Sequence, residues 1–410
     1  MEKHWFRGAA AAAALLSATA LTHAQTLRVT VAEYSSKTGP YFEEVAAAFE
    51  EAHPDADVQI EVVPWDVLLQ KLTTDISGNA NADLSIIGTR WLIDFVDQGI
   101  AAPLDEYMTD DFKERFFPVF LEPSVMEGQT YGLPMAASAR AMYYNKTLFE
   151  EAGIEEVPGT WDELAEAAEK ISALGDDIAG FGLQGKEIET DVYFYYAFWA
   201  FGGELVEEDG TSGLDTEAGY DAAALYKSLI DSGATQPGVT SYNREDVQNL
   251  FKQGKVGMMI TAPFLSNQIA DEAPDLDYGD AAIPAGPAGD RGTYGVTGSI
   301  IVFDNSENKD LAWEFLDLLF TTEWRQKFTA GEGFLPVNPE VAEMPEFADN
   351  PDLKEFTALL PDARFAPVIP GWEEIASITS NAVQTIYLGN AEPQEALDGA
   401  AQEINGILGE

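Results

Sequence analysis

A chain of 410 residues with 46% hydrophobic composition can bury a sizeable core, and that length favours two or more core units over one. Seventy-one acidic residues against 22 basic ones give a formal net charge of −49, which excludes nucleic acid as a partner by simple repulsion. The charge reads as a solvated surface suited to a salty medium, where screening over about 8 Å or less removes most self-repulsion.

The first residues carry Lys3 and Arg7, an apolar run from Gly8 to Ala20 and the small-residue site Thr22-His23-Ala24. That pattern predicts a secretory signal peptide over residues 1–24. As a membrane anchor the run is too short, because a spanning helix needs roughly 20 apolar residues. With no cysteine in the chain there is no disulfide framework and no thiol to lipidate after the cleavage site, so a free, soluble periplasmic protein is expected. Of three histidines only His53 lies beyond the leader, before Pro54 at a helix end. A zinc site of ordinary composition and a Ser-His-Asp or Cys-His apparatus are therefore not expected.

Strands and helices then alternate. LRVTVAEY is a predicted strand, followed by YFEEVAAAFEEAH with Phe42, Val45 and Phe49 on one helical face. VQIEVV, the helix WDVLLQKLTTDIS and the strand DLSIIG complete a βαβαβ unit, which implies a parallel sheet. Ligands of such sheets bind beyond the carboxyl ends of the strands, here Tyr34 to Lys37, Pro64 to Asp66 and Gly88 to Trp91. Further on, Thr160 and Glu163 form a capping box ahead of a helix facing Leu164, Ala167, Ala168 and Ile171 inward. The aromatic run DVYFYYAFWAF, the buried strand KVGMMITAPF and the Pro/Gly-rich loop AAIPAGPAGDRGTYG follow. Neither GxxxxGK[ST] nor GxGxxG after a strand occurs, so no nucleotide and no cofactor is expected.

The stretch YGLPMAASARAMYYNKTLFEEAGI, the PGTWDEL helix start, FKQGKVGMMITAPF and ENKDLAWEFLDLLFTTEWRQKF together resemble the carbohydrate-binding solute receptors of ABC importers, the family that includes maltose-binding protein. The resemblance runs from Leu27 to near the C-terminus. It implies a two-lobed α/β fold of the periplasmic-binding-protein type II, each lobe a mainly parallel sheet flanked by helices, with hinge crossings between lobes. The implied division is residues 25–137 plus 298–331 for lobe 1 and residues 138–297 plus 332–410 for lobe 2. The small residues Ala136 to Ala139 would make the first crossing, with the second near Gly295 to Ser299 and the third near Gly331 to Pro336. The implied output is closure on a ligand, not catalysis, with no catalytic or metal-binding residues. The implied partners are a small-molecule ligand, expected to be a sugar, and a membrane permease with a separate ATPase; the receptor itself is expected to be a monomer.

A pyranose offers C–H faces to aromatic rings and hydroxyls to carboxylates, amides and guanidinium groups, so its cleft needs both. The aromatic candidates are Trp65, Trp91, Tyr195, Phe264 and Trp372; the polar ones are Lys37, Asp66, Arg90, Ser138, Arg140, Asp191 and Thr261. Phe264 falls where the family often has a stacking tryptophan. Trp65 reads equally well as core, and Trp313 and Trp324 read as core. Arg140, in the crossing, either binds ligand or pairs with an acid across the hinge, since a buried charge without a partner is costly. Scarce basic residues near the expected cleft (Lys37, Arg90, Arg140, Lys186) leave an anionic or sulfonated sugar open. Two further readings stay open: the same fold binding a polyol, glycerol phosphate or zwitterion, and a secreted glycoside hydrolase using two carboxylates.

Overall fold

The computed structural model describes residues 25–186, 189–359 and 363–409; the expected leader, residues 1–24, lies outside them. The longer strands are β1 (Gln25–Glu33), β2 (Ala56–Pro64), β3 (Leu84–Gly88), β4 (Leu133–Ser138), β5 (Ala141–Asn145), β6 (Ala179–Gly182), β7 (Val256–Thr261), β8 (Tyr278–Ala281) and β9 (Val296–Val302). The helices that matter for function are α1 (Thr38–Ala52), α2 (Trp65–Ser77), α3 (Trp161–Ser172), α4 (Thr190–Ala200), α5 (Arg244–Lys252), α6 (Phe264–Glu272), α7 (Thr322–Glu332) and α8 (Trp372–Tyr387). No helix among the described residues is long and apolar enough to cross a membrane.

The predicted β1-α1-β2-α2-β3 unit is present. Helix α1 turns Tyr41, Phe42, Val45 and Phe49 inward, and α2 turns Leu68 and Leu72 inward, at the 3.6-residue period that holds one stripe against a sheet. β1 pairs in parallel with β2 on one side and β3 on the other. β9 and β4 extend the sheet in the order β2-β1-β3-β9-β4, both of their pairings antiparallel.

The second lobe has a four-stranded sheet in the order β8-β5-β7-β6, with two antiparallel pairings and one parallel. The fold is two-lobed α/β as expected, but its sheets are mixed and not mainly parallel. The reason lies in the route of the chain. A βαβ crossover forces two strands parallel, whereas a strand arriving from the other lobe is free to enter in either sense. β4 and β5 lie in different sheets and are separated only by Ala139 and Arg140.

Helix α3 begins with the predicted capping box, Thr160 and Glu163 satisfying each other's backbone groups. Helix α4 has every residue buried, as a helix apolar on all sides must be, and it organises the second core with α8. The first core is built on β1, β3, β4 and β9. Within it Arg325 of α7 is 1% exposed and holds no carboxylate: its guanidinium donates to the Met135 carbonyl, the Met135 sulfur and Asn338 Oδ1, and stands over the rings of Phe320 and Phe328. That arginine ties β4 to the segment following α7, where Leu335 N also donates to Ala137 O.

Candidate functional site

All three strand ends of the opening unit border a cleft between the lobes. Its mouth is a cavity of about 360 Å³ lined by Glu33 to Ser36 and Pro64 to Asp66 from the first lobe, and by Asn243, Glu245, Gln248, Asn249, Lys252, Gln268 and Glu272 from the second. That volume falls within the roughly 300–1,000 Å³ usual for small-molecule sites. Trp65 continues into an inner apolar chamber of about 50 Å³, walled by Trp91, Ile93, Pro123, Met126, Val192 and the segment Phe365 to Val368. Arg90 borders that chamber and a third cavity of about 290 Å³ that also touches Asp191, Glu373, Ser380 and Gln384.

An aromatic row crosses the cleft. Trp91 stacks on Trp65 at 5.2 Å, Tyr34 is 6.2 Å from Trp65, Phe334 is 4.8 Å from Tyr34, and Phe264 is 5.5 Å from Phe334. Trp91 is locked by its neighbourhood: a Cβ on Gly88 would sit 3.1 Å from its ring. Gly295, just before β9, is likewise required, since a Cβ there would lie 2.5 Å from the ring of Phe365. Trp65 is half-buried and borders two of the cavities, so part of its surface is available to a ligand.

Two ionic groups lie near the cleft, and the first joins the lobes. Arg90, after β3, reaches Asp191 of α4 at 3.0 Å and Glu373 of α8 at 2.7 Å. Burial works against the Arg90 charge, but Glu373 and Asp191 outweigh it and hold the guanidinium well above its usual range. Burial also pushes Glu373 up to about 7, against the pull of Arg90, and raises Asp191 in the same way. Close by, the Gly371 N–H donates to Asp94 of the first lobe at 2.8 Å.

The second group gathers Arg140, Glu189, Arg244 and Glu245. Glu189 lies 3.8 Å from Arg140 Nη2 and accepts from Arg244 Nη1 at 3.0 Å; Arg244 also pairs with Glu245. Arg140 donates to Ser138 Oγ at 2.6 Å, and its backbone is tied to Thr293 Oγ1 in both directions. Arg244 stands 5.2 Å over the ring of Phe264. Despite these pairs, Arg140 Nε, Arg244 Nε, Trp65 Nε1, Trp91 Nε1 and Tyr34 Oη are buried without a hydrogen-bond partner. Buried donors are almost always satisfied, so these five are positions where an acceptor would be favoured.

Of the residues expected at the site, Trp65, Asp66, Arg90, Trp91, Ser138, Arg140, Asp191 and Phe264 border the cleft or its ion pairs. Thr261 is buried and its hydroxyl accepts from Gln248, which lines the mouth. Lys37 caps α1 and spans the lobes through Asp271 of α6 at 2.6 Å, with both side chains about half exposed. Tyr195 and Trp372 stand apart, 1% exposed in the second core, where Tyr195 packs on Phe198 and Trp199. Tyr34, Glu189, Gln248 and Glu373, which line these cavities, and Arg244, which pairs with Glu189, are residues that sequence reasoning did not single out. For Arg244 a usable signal was present, because an arginine is rare in so acidic a chain. Among the described residues, no group of three or more His, Cys, Asp or Glu could hold a metal ion.

Comparison with known proteins gives this architecture its context. A binding protein of Brucella abortus (strain 2308) is 67% identical over 406 residues, 99% of each chain. The maltotriose-binding protein of Pyrococcus abyssi is 28% identical, over 80% of this chain and 70% of its own. An ABC transporter solute-binding protein from Thermotoga lettingae, solved with bound alpha-D-tagatose, superposes with a TM-score of 0.87 at 25% identity, covering 94% of this chain and 100% of that one. Residues 32–326 match the bacterial extracellular solute-binding protein model, and the chain belongs to that family.

Proposed function

We propose that this protein is the sugar receptor of an ABC importer: it binds a carbohydrate between its lobes, closes, and presents the closed form to a membrane permease driven by a separate ATPase. The observation that carries this reading is the juxtaposition of the half-buried Trp65 face with Asp66, Glu245, Gln248 and Asn249 across one cleft mouth. A pyranose matches both kinds of surface: its C–H faces lie on the ring, and its hydroxyls donate to the carboxylates while accepting from amides and guanidinium N–H groups. The tagatose-bound and maltotriose-binding relatives support the same ligand chemistry. The lobes would hinge about the Ala139–Arg140 link and the segments around Gly295 and Leu335, and the division at residues 25–137 plus 298–331 against residues 138–297 plus 332–410 is the working definition of the two bodies. The protein would act as a periplasmic monomer that turns over no substrate.

A polyol is the second reading, since it offers the same hydroxyls without the ring face. The test is a thermal-unfolding panel of mono- and oligosaccharides and polyols on the mature chain and on Trp65→Ala. A ligand present at 100 times its dissociation constant adds about 2.7 kcal/mol of stability. A sugar shift that Trp65→Ala abolishes is the expected result. A shift from linear polyols alone, insensitive to Trp65→Ala, would replace the sugar with a polyol, and release of reducing sugar would replace the receptor with a hydrolase.

A further inference from the structure

We propose that Glu189 is the cleft's built-in anion: by occupying the guanidinium pair Arg140–Arg244 it makes the site accept a neutral polyhydroxylated ligand and reject the anionic counterpart. The inference rests on the receptor reading and narrows its substrate class. The two arginines come from unrelated places, the link between β4 and β5 and the first residue of α5, yet converge on one carboxylate. Two buried guanidinium groups side by side are the arrangement that binds carboxylate, sulfate or phosphate when nothing neutralises it. Here Glu189, with its side chain 11% exposed, bridges the two and Glu245 supplies the second negative charge, so the pair is neutralised.

Glu189 is also held in an unusual conformation. Its φ of 74° lies in the left-handed region, which is sparsely used by non-glycine residues and persists where the surroundings over-determine it. That backbone sits directly before the buried α4, so the carboxylate is placed by the lobe's core and not by a flexible stem. Glu245, the other acid of the group, is half exposed on the far side of Arg244 and also faces Lys186. The remaining cleft arginine, Arg90, already has two carboxylates. An incoming anionic group would therefore meet Glu189 at close range and find no free cation among these arginines. A hydroxyl or ring oxygen meets no such repulsion and can accept from Arg140 Nε and Arg244 Nε, which have no partner.

The test uses sulfate as an anion probe, because it needs no knowledge of the natural ligand. Titration calorimetry on the mature chain should show sulfate binding at least tenfold tighter to Glu189→Gln than to the wild type, and the gain should vanish in Glu189→Gln combined with Arg140→Met. Sulfate binding equally well to the wild type, or a folded Glu189→Gln that gains nothing, would overturn the proposal. Should Glu189→Gln not fold, Glu189→Asn carries the same expectation, since asparagine tolerates positive φ. A parallel comparison of each neutral sugar with its uronate on the wild type separates the two ideas. Tighter binding of a uronate overturns the neutral-ligand inference while keeping the receptor. A wild type silent to every sugar and polyol, with the sulfate gain intact in the variant, overturns the sugar reading while keeping the role of Glu189.

Discussion

Arg325 and Arg244 are both buried arginines, and they are accommodated in opposite ways. Arg325 lies in the first core and has only a carbonyl, a thioether, an amide oxygen and two aromatic faces around it. Burial lowers it to about 10, although Tyr41 and Tyr34 pull the other way. Arg244 lies where the lobes meet, and burial there is outweighed by Glu189 and Glu245, which raise it. The dipole-solvated arginine ties β4 to the segment after α7. A carboxylate-paired arginine with a spare N–H has its charge balanced within its own lobe and keeps a donor for an acceptor.

The largest effect expected from breaking this contrast is at Arg325. Arg325→Ala removes a large buried side chain and leaves the Met135 carbonyl and Asn338 Oδ1 without donors, a loss of about 3–5 kcal/mol. It should appear as a lower urea midpoint, with the β4 crossing loosened; a shift below about 1 kcal/mol would make Arg325 dispensable and erase the distinction.

A smaller effect concerns Glu373, the acid whose folded-state value is raised to about 7 by burial. A raised carboxyl binds more protons in the folded than in the unfolded state between its ordinary value and about 7, so stability falls as pH rises through that window. Glu373→Gln, which stays neutral, should be more stable than the wild type near pH 8 by about 1–2 kcal/mol and should lose the advantage near pH 4. Melting temperatures of both proteins across that range decide it. Parallel curves would show that Arg90 keeps Glu373 charged throughout.

The smallest effect belongs to Lys37–Asp271, which spans the lobes at an exposed edge. Lys37→Gln should change stability by less than about 1 kcal/mol, and less still at high salt. A larger, salt-resistant loss would move that edge into the class of the buried pairs.

Much of this molecule was legible from local pattern. The first β-α-β-α-β unit follows from period-2 and period-3.6 runs, and the capping box at Thr160 from four residues. The rule that ligands gather at strand carboxyl ends picked out Trp65, Arg90 and Trp91, all of which border the cleft. For Arg140 the alternatives are ligand or an acid across the hinge; Glu189, 3.8 Å from it, lies in the second lobe to which the implied division also assigns Arg140. Tyr195, expected at the site from the aromatic run of the resemblance, lies in the second core: a helix apolar on every side, as α4 is, carries no stripe to tell the cleft face from the core face.

Taken alone, the sequence determined what depends on neighbours in the chain: strands, helices, caps and, through its lack of cysteine, the absence of thiol-based catalysis. The tertiary structure decided what depends on distant segments meeting. The antiparallel entry of β4 and β9 depends on the chain's route between lobes, and the meeting of Arg90 with Asp191 and Glu373 on residues 101 and 283 positions away. Two arginines and two glutamates become a neutralised cluster only when the β4–β5 link, the start of α4 and the start of α5 converge. No local pattern encodes that convergence, because the energy that creates it comes from packing the two cores around it.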